Sequence, residues 1–337
     1  MKKLICMILT MLLVLSLGTA ALASGEPSID MPAGGGGGGN QSREIPADVA
    51  DLPTVEAEYW LTTTEDRVGM EGPEFDSEGN LYVCSVGMTY PINYILKIDA
   101  EKNITTAWEG ELSPLGLAFH DGLLFAVCRE GVILVIGEDG GDTVAIKPAY
   151  EDRVFSLNDI CFTADGDLLF TDWQGTKDNP IGGIYVLTAE SRYQECYVLA
   201  DGLAGPNGIE VSPDGSGLWV SMTNEDAVYR MDLAYEDGDV QCEALELIYQ
   251  NSGAGNPDSS EVDANGNFYQ AMIQGGRVLV FDSEGTPIAN VIIPERESGS
   301  RMMSSNLAIH PETGVAYLLT AGFGEGSFIY TFETISE

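Results

Sequence analysis

One short phrase returns six times in this 337-residue chain, at intervals of 43 to 51 residues. Each copy has a large apolar residue, a short turn rich in Asp, Gly or Asn, and then a run of apolar and aromatic residues. We call the apolar residue that opens each copy its anchor; the six anchors are Phe75, Phe119, Phe162, Val211, Val262 and Ile309. Repetition at this period limits the fold to an array of similar supersecondary units.

Each copy predicts a β-hairpin, because Asp-Gly and Asn-Gly pairs adopt the positive φ angles that tight turns between strands require. Further strand-like runs follow, as in residues 94–98 and 184–187, where β-branched and aromatic residues dominate. Four strands in every 40 to 50 residues are typical of one propeller blade, so six copies predict an all-β, six-bladed β-propeller. Residues 56–61 also resemble a strand, and we expect them to complete the last blade and close the ring.

The residues before the repeats predict an exported protein. Residues 1–23 combine two early lysines, an apolar run and a final Ala-Leu-Ala, which is typical of a signal peptide. An uncleaved membrane anchor is the alternative, and the short apolar run argues against it. Residues 24–52 include six consecutive glycines and predict a flexible linker. The propeller is assigned to residues 53–337, with an extracellular, cell-surface or periplasmic location and no membrane insertion after cleavage.

Charge composition excludes some partners. The chain has 15 Lys and Arg against 53 Asp and Glu, a formal net charge of −38. Such a surface repels phosphate backbones and anionic lipid, so nucleic acid is not an expected partner. The simplest interpretation is a solubilising coat, which also concentrates divalent cations near the protein. No segment indicates oligomerisation, and a monomer is expected by default.

Cysteine and histidine offer little for chemistry. Five cysteines remain after the leader, without metal-binding spacing, and they favour free buried thiols over a disulfide framework. A bridge between Cys196 and Cys242 stays an alternative. The two histidines, His120 and His310, each follow an anchor and are predicted to be structural, which leaves no basis for a histidine-dependent triad.

Oxygen-bearing side chains recur at one register of the repeat. We call the six residues that lie four positions before the anchors the channel ring; they are Glu71, Leu115, Asn158, Asn207, Asp258 and Ser305. The innermost strand of each blade lines the central channel, so equivalent positions meet around its axis. Taken singly, such residues commonly cap turns. Together, two carboxylates and two amides predict a site for a hard cation, calcium first, with magnesium, manganese or zinc as alternatives.

At these residues the chain resembles the senescence marker protein, gluconolactonase and luciferin-regenerating enzyme family. The resemblance runs from about residue 60 to the C-terminus and looks closest to the calcium-dependent bacterial drug-responsive lactonases, through residues 170–173, 179–185 and 276–281. The segments that carry it are Glu71-Gly72-Pro73, Asn158-Asp159, Pro206-Asn207-Gly208 and Pro257-Asp258-Ser259.

The resemblance implies a calcium-dependent lactonase that opens a small-molecule lactone or a related ester. It implies that Asp258 transfers the proton and that Ser259 adds a ligand to one catalytic metal, whose other ligands are Glu71, Asn158, Asn207 and Asp258. Sugar-lactone members carry Gly after the catalytic Asp and Arg two residues before the first Asn. Here Ser259 and Ser156 take those places, which argues against a gluconolactone-type sugar.

Loops at the same face predict the substrate pocket. Tyr90, Trp173 and Arg301 are the candidate contacts, in surroundings that suit an apolar lactone better than a polyhydroxylated sugar. Two other functions remain open. One is an exported binding propeller in which calcium only ties the blades together, and the other is a strictosidine synthase-like enzyme that does not use this metal set.

Overall fold

The computed structural model describes residues 44–64, 69–87, 90–137, 143–236 and 239–335. The predicted signal peptide and residues 24–43 of the predicted linker lie outside these ranges. No helix among the described residues has the length and apolar character needed to cross a membrane. Strands dominate, with two short 3-10 helices at Thr223–Glu225 and Pro294–Ser298.

The strands form six separate sheets. In chain order they are β1 (Thr54–Glu56), β2 (Glu58–Thr64), β3 (Met70–Phe75), β4 (Leu81–Ser85), β5 (Asn93–Ile98), β6 (Ile104–Gly110), β7 (Pro114–His120), β8 (Leu123–Cys128), β9 (Val132–Ile136), β10 (Thr143–Ile146), β11 (Leu157–Phe162), β12 (Leu168–Asp172), β13 (Gly182–Leu187), β14 (Cys196–Leu203), β15 (Pro206–Val211), β16 (Gly217–Met222), β17 (Ala227–Glu236), β18 (Asp239–Cys242), β19 (Glu246–Gln250), β20 (Asn256–Val262), β21 (Phe268–Ile273), β22 (Arg277–Phe281), β23 (Pro287–Ile292), β24 (Asn306–Ile309), β25 (Val315–Gly322) and β26 (Gly326–Glu333).

The sheets are the blades of a propeller. Blade 1 contains β3 to β6, blade 2 β7 to β10, blade 3 β11 to β14, and blade 4 β15 to β19. Blade 5 contains β20 to β23 and blade 6 β24 to β26. The first strands of the blades (β3, β7, β11, β15, β20 and β24) contact one another in a closed circle. The predicted six-bladed β-propeller is therefore confirmed, and the anchors lie at or beside the ends of these inner strands.

The chain that enters the propeller closes the ring. Strand β2 runs antiparallel to β26, with Leu61 opposite Ile329. The predicted closure is therefore confirmed, although the strand begins two residues and ends three residues later than predicted. Strand β1 adds a parallel fifth strand to blade 5, where Val55 lies opposite Val291. A segment of eleven residues (54–64) thereby links the last two blades.

Apolar side chains fill the junctions between blades. A cluster of buried hydrophobic residues lies between each neighbouring pair of blades; at the junction of blades 4 and 5, Trp219 stacks on Phe268 with 4.6 Å between ring centroids. The histidines belong to this packing, as predicted: His120 stacks on Phe162 at 4.4 Å. All five cysteines in the described residues are free thiols, so the alternative Cys196–Cys242 bridge is not formed.

The predicted linker ends earlier than residue 52. Val49 is only 2% exposed and lies in the cluster with Trp219 and Tyr249, at the junction of blades 4 and 5. The Asn290 side-chain amide donates a hydrogen bond to the Val49 carbonyl oxygen at 2.8 Å. The glycine-rich composition of residues 34–39 does not extend to Ile45, Val49 and Leu52. These three residues have apolar side chains, and burying them against the propeller stabilises the folded protein. Residues 44–52 therefore belong with the propeller.

We expect Val49→Asp to destabilise the protein by about 3 kcal/mol, because the new carboxylate enters an apolar junction without a partner. Urea unfolding of the purified protein measures the change. Ala50→Asp adds the same charge to an exposed neighbour and is the matched control, with an expected change under about 0.5 kcal/mol. Equal effects of the two substitutions would contradict the packed position of Val49.

Candidate metal centre

The oxygen-bearing residues of the channel ring lie at one end of the channel. Glu71, Asn158, Asn207 and Asp258 occupy the second or third positions of the inner strands β3, β11, β15 and β20. The inner strands contact their neighbours around the circle, so these positions share one height along the axis. Leu115 takes the equivalent place in β7, and Ser305 immediately precedes β24.

A β-bulge accompanies each of these four residues. The pairing of the inner strand with the second strand shifts register between Glu71 and Glu74, and the corresponding interruptions in blades 3, 4 and 5 follow Leu157, Pro206 and Pro257. Bulges redirect side chains and end regular ladder pairing, and they are frequent beside active sites. The prolines before Asn207 and Asp258 were a usable signal in the sequence, because proline cannot donate to the ladder.

Direct contacts join three of the predicted ligands. The Asn207 side-chain amide donates to Asp258 Oδ1 at 2.7 Å, and Ser259 Oγ donates to Asn207 Oδ1 at 3.1 Å. Asn207, Asp258 and Ser259 are 3%, 7% and 3% exposed, so this group is removed from bulk water. Two blades thus present an amide, a carboxylate and a hydroxyl to the same point of the channel.

Burial raises the pKa of the ring carboxylates. The pKa of Asp258 rises from 3.8 to about 7, mainly through burial and further through the nearby Asp159, although the Asn207 amide opposes the rise. Burial, then the charges of Asp258 and Asp159, raise the pKa of Glu71 well above its usual range. The mutual effects place Glu71, Asp159 and Asp258 within one electrostatic cluster.

Asp159 is a member of this cluster that sequence reasoning did not assign to the site. It is 5% exposed, and burial raises its pKa to about 7, opposed by hydrogen bonds from the Ile160 backbone, Ser259 and the Ile209 backbone. Its place beside Asn158 in the sequence was the available signal. Only the fold shows that its carboxyl group reaches toward blades 4 and 5.

Below the ring, the channel contains a second acidic layer. A cavity of about 180 Å³ is lined by Glu74, Glu210 and Glu261 among others, each one position before an anchor. Burial and neighbouring carboxylates raise the pKa of all three, that of Glu261 to about 7. The recurrence of Glu directly before an anchor was the signal in the sequence, and sequence reasoning missed it as well.

The donor set fits a hard divalent cation. No ion pair of the described residues includes Glu71, Asp159 or Asp258; the charge of Arg129 lowers the pKa of Glu71, but burial and the neighbouring carboxylates outweigh it. Uncompensated buried carboxylates are unfavourable, and a cation removes that cost. Within the described ranges, no three His, Cys, Asp or Glu side chains converge closely enough to bind a metal by themselves. A cation here therefore needs the amide oxygens of Asn158 and Asn207 as well.

The three predicted substrate contacts, Trp173, Tyr90 and Arg301, lie in different parts of the propeller. Trp173 follows β12 and donates its backbone N–H to the Ser156 carbonyl at 2.8 Å, two residues from Asn158. Its indole Nε1 is buried and has no hydrogen-bond partner among the described residues. Tyr90 follows blade 1's second strand and donates its backbone N–H to Gly87 at 3.2 Å. These two positions remain predictions for substrate contact.

Arg301 contacts side chains of blade 6 and of the loop before it. Its Nη1 donates to Glu295 Oε1 at 3.0 Å and to the Tyr330 hydroxyl at 2.6 Å. The guanidinium carbon lies 3.7 Å from the centroid of the Phe328 ring. These contacts occupy the charge and one planar face of Arg301 with blade 6 and the loop before it, and its contact with a substrate stays a prediction.

Comparison with known proteins agrees with this fold. The sequence model described as the SMP-30/gluconolactonase/LRE-like region matches residues 71–303. Lactonase drp35 of Staphylococcus saprophyticus is 30% identical over 312 residues, covering 89% of this chain and 94% of that protein. Solved structures with the same fold include a gluconolactonase from Xanthomonas campestris (TM-score 0.65, 19% identity, 82% of this chain and 94% of that one). Another is regucalcin from Agrobacterium tumefaciens, described as calcium-binding (TM-score 0.66, 19% identity, 83% and 95%).

The fold and the channel ring together define a six-bladed propeller with a polar, oxygen-rich site at one mouth of its channel. Within that class, the extent of the sequence match identifies the group. The chain belongs to the SMP-30/gluconolactonase/luciferin-regenerating enzyme family.

Proposed function

We propose that the protein is an exported, calcium-dependent lactonase that opens a lactone or a related ester at the channel mouth. The observation that carries the proposal is the convergence of Asn207, Asp258 and Ser259 beside Glu71. It occurs in a chain about 30% identical to proteins named Lactonase drp35. Export rests on the sequence of residues 1–23.

In this proposal the channel ring holds the cation. Glu71, Asn158, Asn207 and Asp258 would be its protein ligands, with Ser259 beside them. When bound, calcium would polarise the substrate carbonyl and stabilise the negative charge that develops on its oxygen. The amides of Asn158 and Asn207 contribute oxygens without charge, which keeps the net charge of the ligand set low.

Asp258 is the proton-transfer residue of the proposal. Its Oδ1 accepts the hydrogen bond from Asn207, which leaves Oδ2 to take a proton from the attacking water and return it to the ring oxygen that leaves. An ionised carboxylate placed within hydrogen-bond reach of the water can carry out both steps. Glu71 remains a ligand, because a bound cation would oppose its protonation.

The substrate class follows from the mouth of the channel. Ser156 and Ser259 stand where sugar-lactone members carry Arg and Gly, and the Ser156 backbone N–H is bound by Asp172 Oδ1 at 2.8 Å. Trp173 adds an apolar ring beside Ser156. An apolar lactone suits these residues better than a polyhydroxylated sugar.

A panel of aliphatic lactones, sugar lactones and aryl esters, assayed with calcium and with a chelator, tests the function. We expect hydrolysis of an aliphatic lactone that falls at least about 100-fold on chelation, because positioning and charge stabilisation at the carbonyl are both lost. Adding calcium restores the rate. Pseudo-first-order rates by pH-stat titration provide the measurement.

The same panel separates the alternatives. Binding of calcium that raises the melting temperature without any turnover would favour a non-catalytic binding propeller. Turnover that is unchanged by the chelator would favour metal-independent chemistry of the strictosidine synthase-like kind. Either result would overturn the proposed lactonase mechanism.

A further inference from the structure

Two buried hydroxyl groups occupy the same register in neighbouring blades. Thr171 lies in β12, the second strand of blade 3, and Ser221 in β16, the second strand of blade 4. Both are 0% exposed. Each faces the bulge of its own inner strand, where the regular ladder is interrupted. The backbone N–H groups that the bulges release are therefore available to these hydroxyls.

Thr171 joins the peptide groups that follow two predicted ligands. The Asp159 N–H donates to Thr171 Oγ1 at 3.0 Å, and Thr171 Oγ1 donates to the Asn207 carbonyl oxygen at 2.9 Å. The first contact holds the peptide group between Asn158 and Asp159. The second holds the peptide group between Asn207 and Gly208, so one hydroxyl crosses from blade 3 to blade 4.

Ser221 repeats the arrangement one blade further on. The Gly208 N–H donates to Ser221 Oγ at 2.7 Å, and Ser221 Oγ donates to the Asp258 carbonyl oxygen. The peptide group after Asn207 is consequently held at both ends, its oxygen by Thr171 and its N–H by Ser221. The peptide group after Asp258 is held through its oxygen by Ser221 and by the Gln270 side-chain amide, which donates to the same oxygen at 3.0 Å.

Two further hydrogen bonds extend these contacts to blade 1. The Ser259 N–H donates to the Ser305 carbonyl oxygen at 3.1 Å, and Ser305 Oγ donates to the Met70 carbonyl oxygen at 2.7 Å. Met70 directly precedes Glu71. We call this series, from the peptide group after Asn158 to the one before Glu71, the peptide relay. It passes through blades 3, 4, 5, 6 and 1.

The hydroxyls are placed where ligands meet on both sides. Thr171 lies between blades that carry Asn158 and Asn207, and Ser221 lies between blades that carry Asn207 and Asp258. In blade 1, the residue opposite Glu71 is Cys84, and the next blade carries Leu115, which cannot bind a cation. The hydroxyls thus occur where both neighbouring blades carry a predicted ligand. If they only stabilised the packing between blades, we would not expect their positions to match those of the ligands.

We infer that Thr171 and Ser221 are positioning residues for the cation site, an inference that rests on the proposed metal dependence. When the peptide group that follows a residue rotates, the rotation is about the Cα–C bond of that residue. The two hydroxyls restrain that rotation for Asn158 and Asn207, and together with Gln270 for Asp258, and thereby position their side chains relative to one another. Partners outside the ligand shell commonly change metal affinity by about 10- to 100-fold.

Thr171→Val and Ser221→Ala remove the hydroxyls with little change of volume. We expect each to raise the dissociation constant for calcium by about 10-fold in isothermal titration calorimetry. Thr171→Ser keeps the oxygen and should return the native constant. Should Ser221→Ala not fold, Ser221→Cys keeps a weaker donor in its place, and an increase of about 3-fold or more is expected.

Matched controls lie at the opposite ends of the same blades. Thr163 is 3% exposed and accepts a hydrogen bond from the Asp167 N–H at 3.1 Å. Ser212 bonds both the Gly217 N–H at 2.8 Å and the Gly217 carbonyl at 3.1 Å. Thr163→Val and Ser212→Ala should lower the melting temperature of the calcium-free protein as the test substitutions do, yet leave the calcium dissociation constant within about 2-fold of native.

The outcomes separate this inference from the proposed activity. Test variants and controls that share one calcium constant would overturn the relay, whatever their thermal stability. A native protein that binds no calcium at millimolar concentration would overturn both the relay and the metal site. The expected pattern of constants in a protein that opens no lactone would support the relay and reject only the lactonase assignment.

Discussion

Asp258→Asn is expected to lower kcat for lactone opening by about 1,000-fold at saturating calcium, within the range of general acid–base contributions. Asparagine keeps the size of the side chain and an oxygen that can accept the 2.7 Å bond from Asn207. It cannot take up a proton from water at neutral pH. Stopped-flow or pH-stat assays with calcium well above its dissociation constant isolate this effect from metal binding.

Glu71→Gln is the informative comparison for Asp258→Asn. Glu71 is proposed to hold the cation without transferring a proton, so Gln should weaken calcium binding, and added calcium should recover most of the turnover. The two substitutions remove the same charge from the same ring and differ in the predicted role of the residue. Full turnover in Asp258→Asn, or a loss in Glu71→Gln that calcium does not reverse, would contradict the assignment of roles.

The repeat made the fold accessible from the sequence. The spacing of the anchors fixed the number of blades, and the anchors lie where the inner strands end, because a tight turn must follow each of them. The strand near residue 60 was predictable for the same reason, since blade 6 has only three strands of its own after Asn306. Local turn chemistry and a fixed period were sufficient for these conclusions.

The remaining features depend on contacts between distant residues. Thr171 and Asn207 are 36 residues apart, and nothing around Thr171 distinguishes it from an ordinary strand residue. Asp159 reads as the second residue of an Asn-Asp pair, and its approach to Ser259 follows only from the bulge in β11. Val49 was assigned to a linker because composition was averaged over a segment whose last residues are apolar.

The calcium-free protein should lose stability as pH rises from 5.5 to 8. The pKa of Asp159 and Asp258 is raised in the folded protein from 3.8 to about 7 by burial. A raised pKa means that the folded state binds protons more tightly than the unfolded chain. The stabilisation is complete below about pH 4 and is lost as pH rises through about 7.

The expected loss of stability is large enough to measure by calorimetry. A rise of the pKa from 3.8 to about 7 corresponds to on the order of 4 kcal/mol for one carboxyl group. The buried groups form one cluster, so their contributions do not add. Only the part between pH 5.5 and about 7 falls in the measured window, about half of the total or on the order of 2 kcal/mol, which for a domain of this size corresponds to a fall in Tm on the order of 5 °C. Differential scanning calorimetry in the presence of a chelator measures it.

Calcium should abolish most of this pH dependence, because a bound cation stabilises the ionised carboxylates that otherwise oppose folding. Asp159→Asn in calcium-free protein should flatten the fall in Tm, since one of the buried groups can no longer ionise. Exposed carboxylates act in the other direction: hydrogen bonds from Ser216 lower the pKa of Asp214 to about 2, so its contribution changes only at strongly acid pH. A calcium-free Tm that rises from pH 5.5 to 8 would show that the channel carboxylates are already neutralised by another partner, and the case for a cation at this site would lose its electrostatic basis.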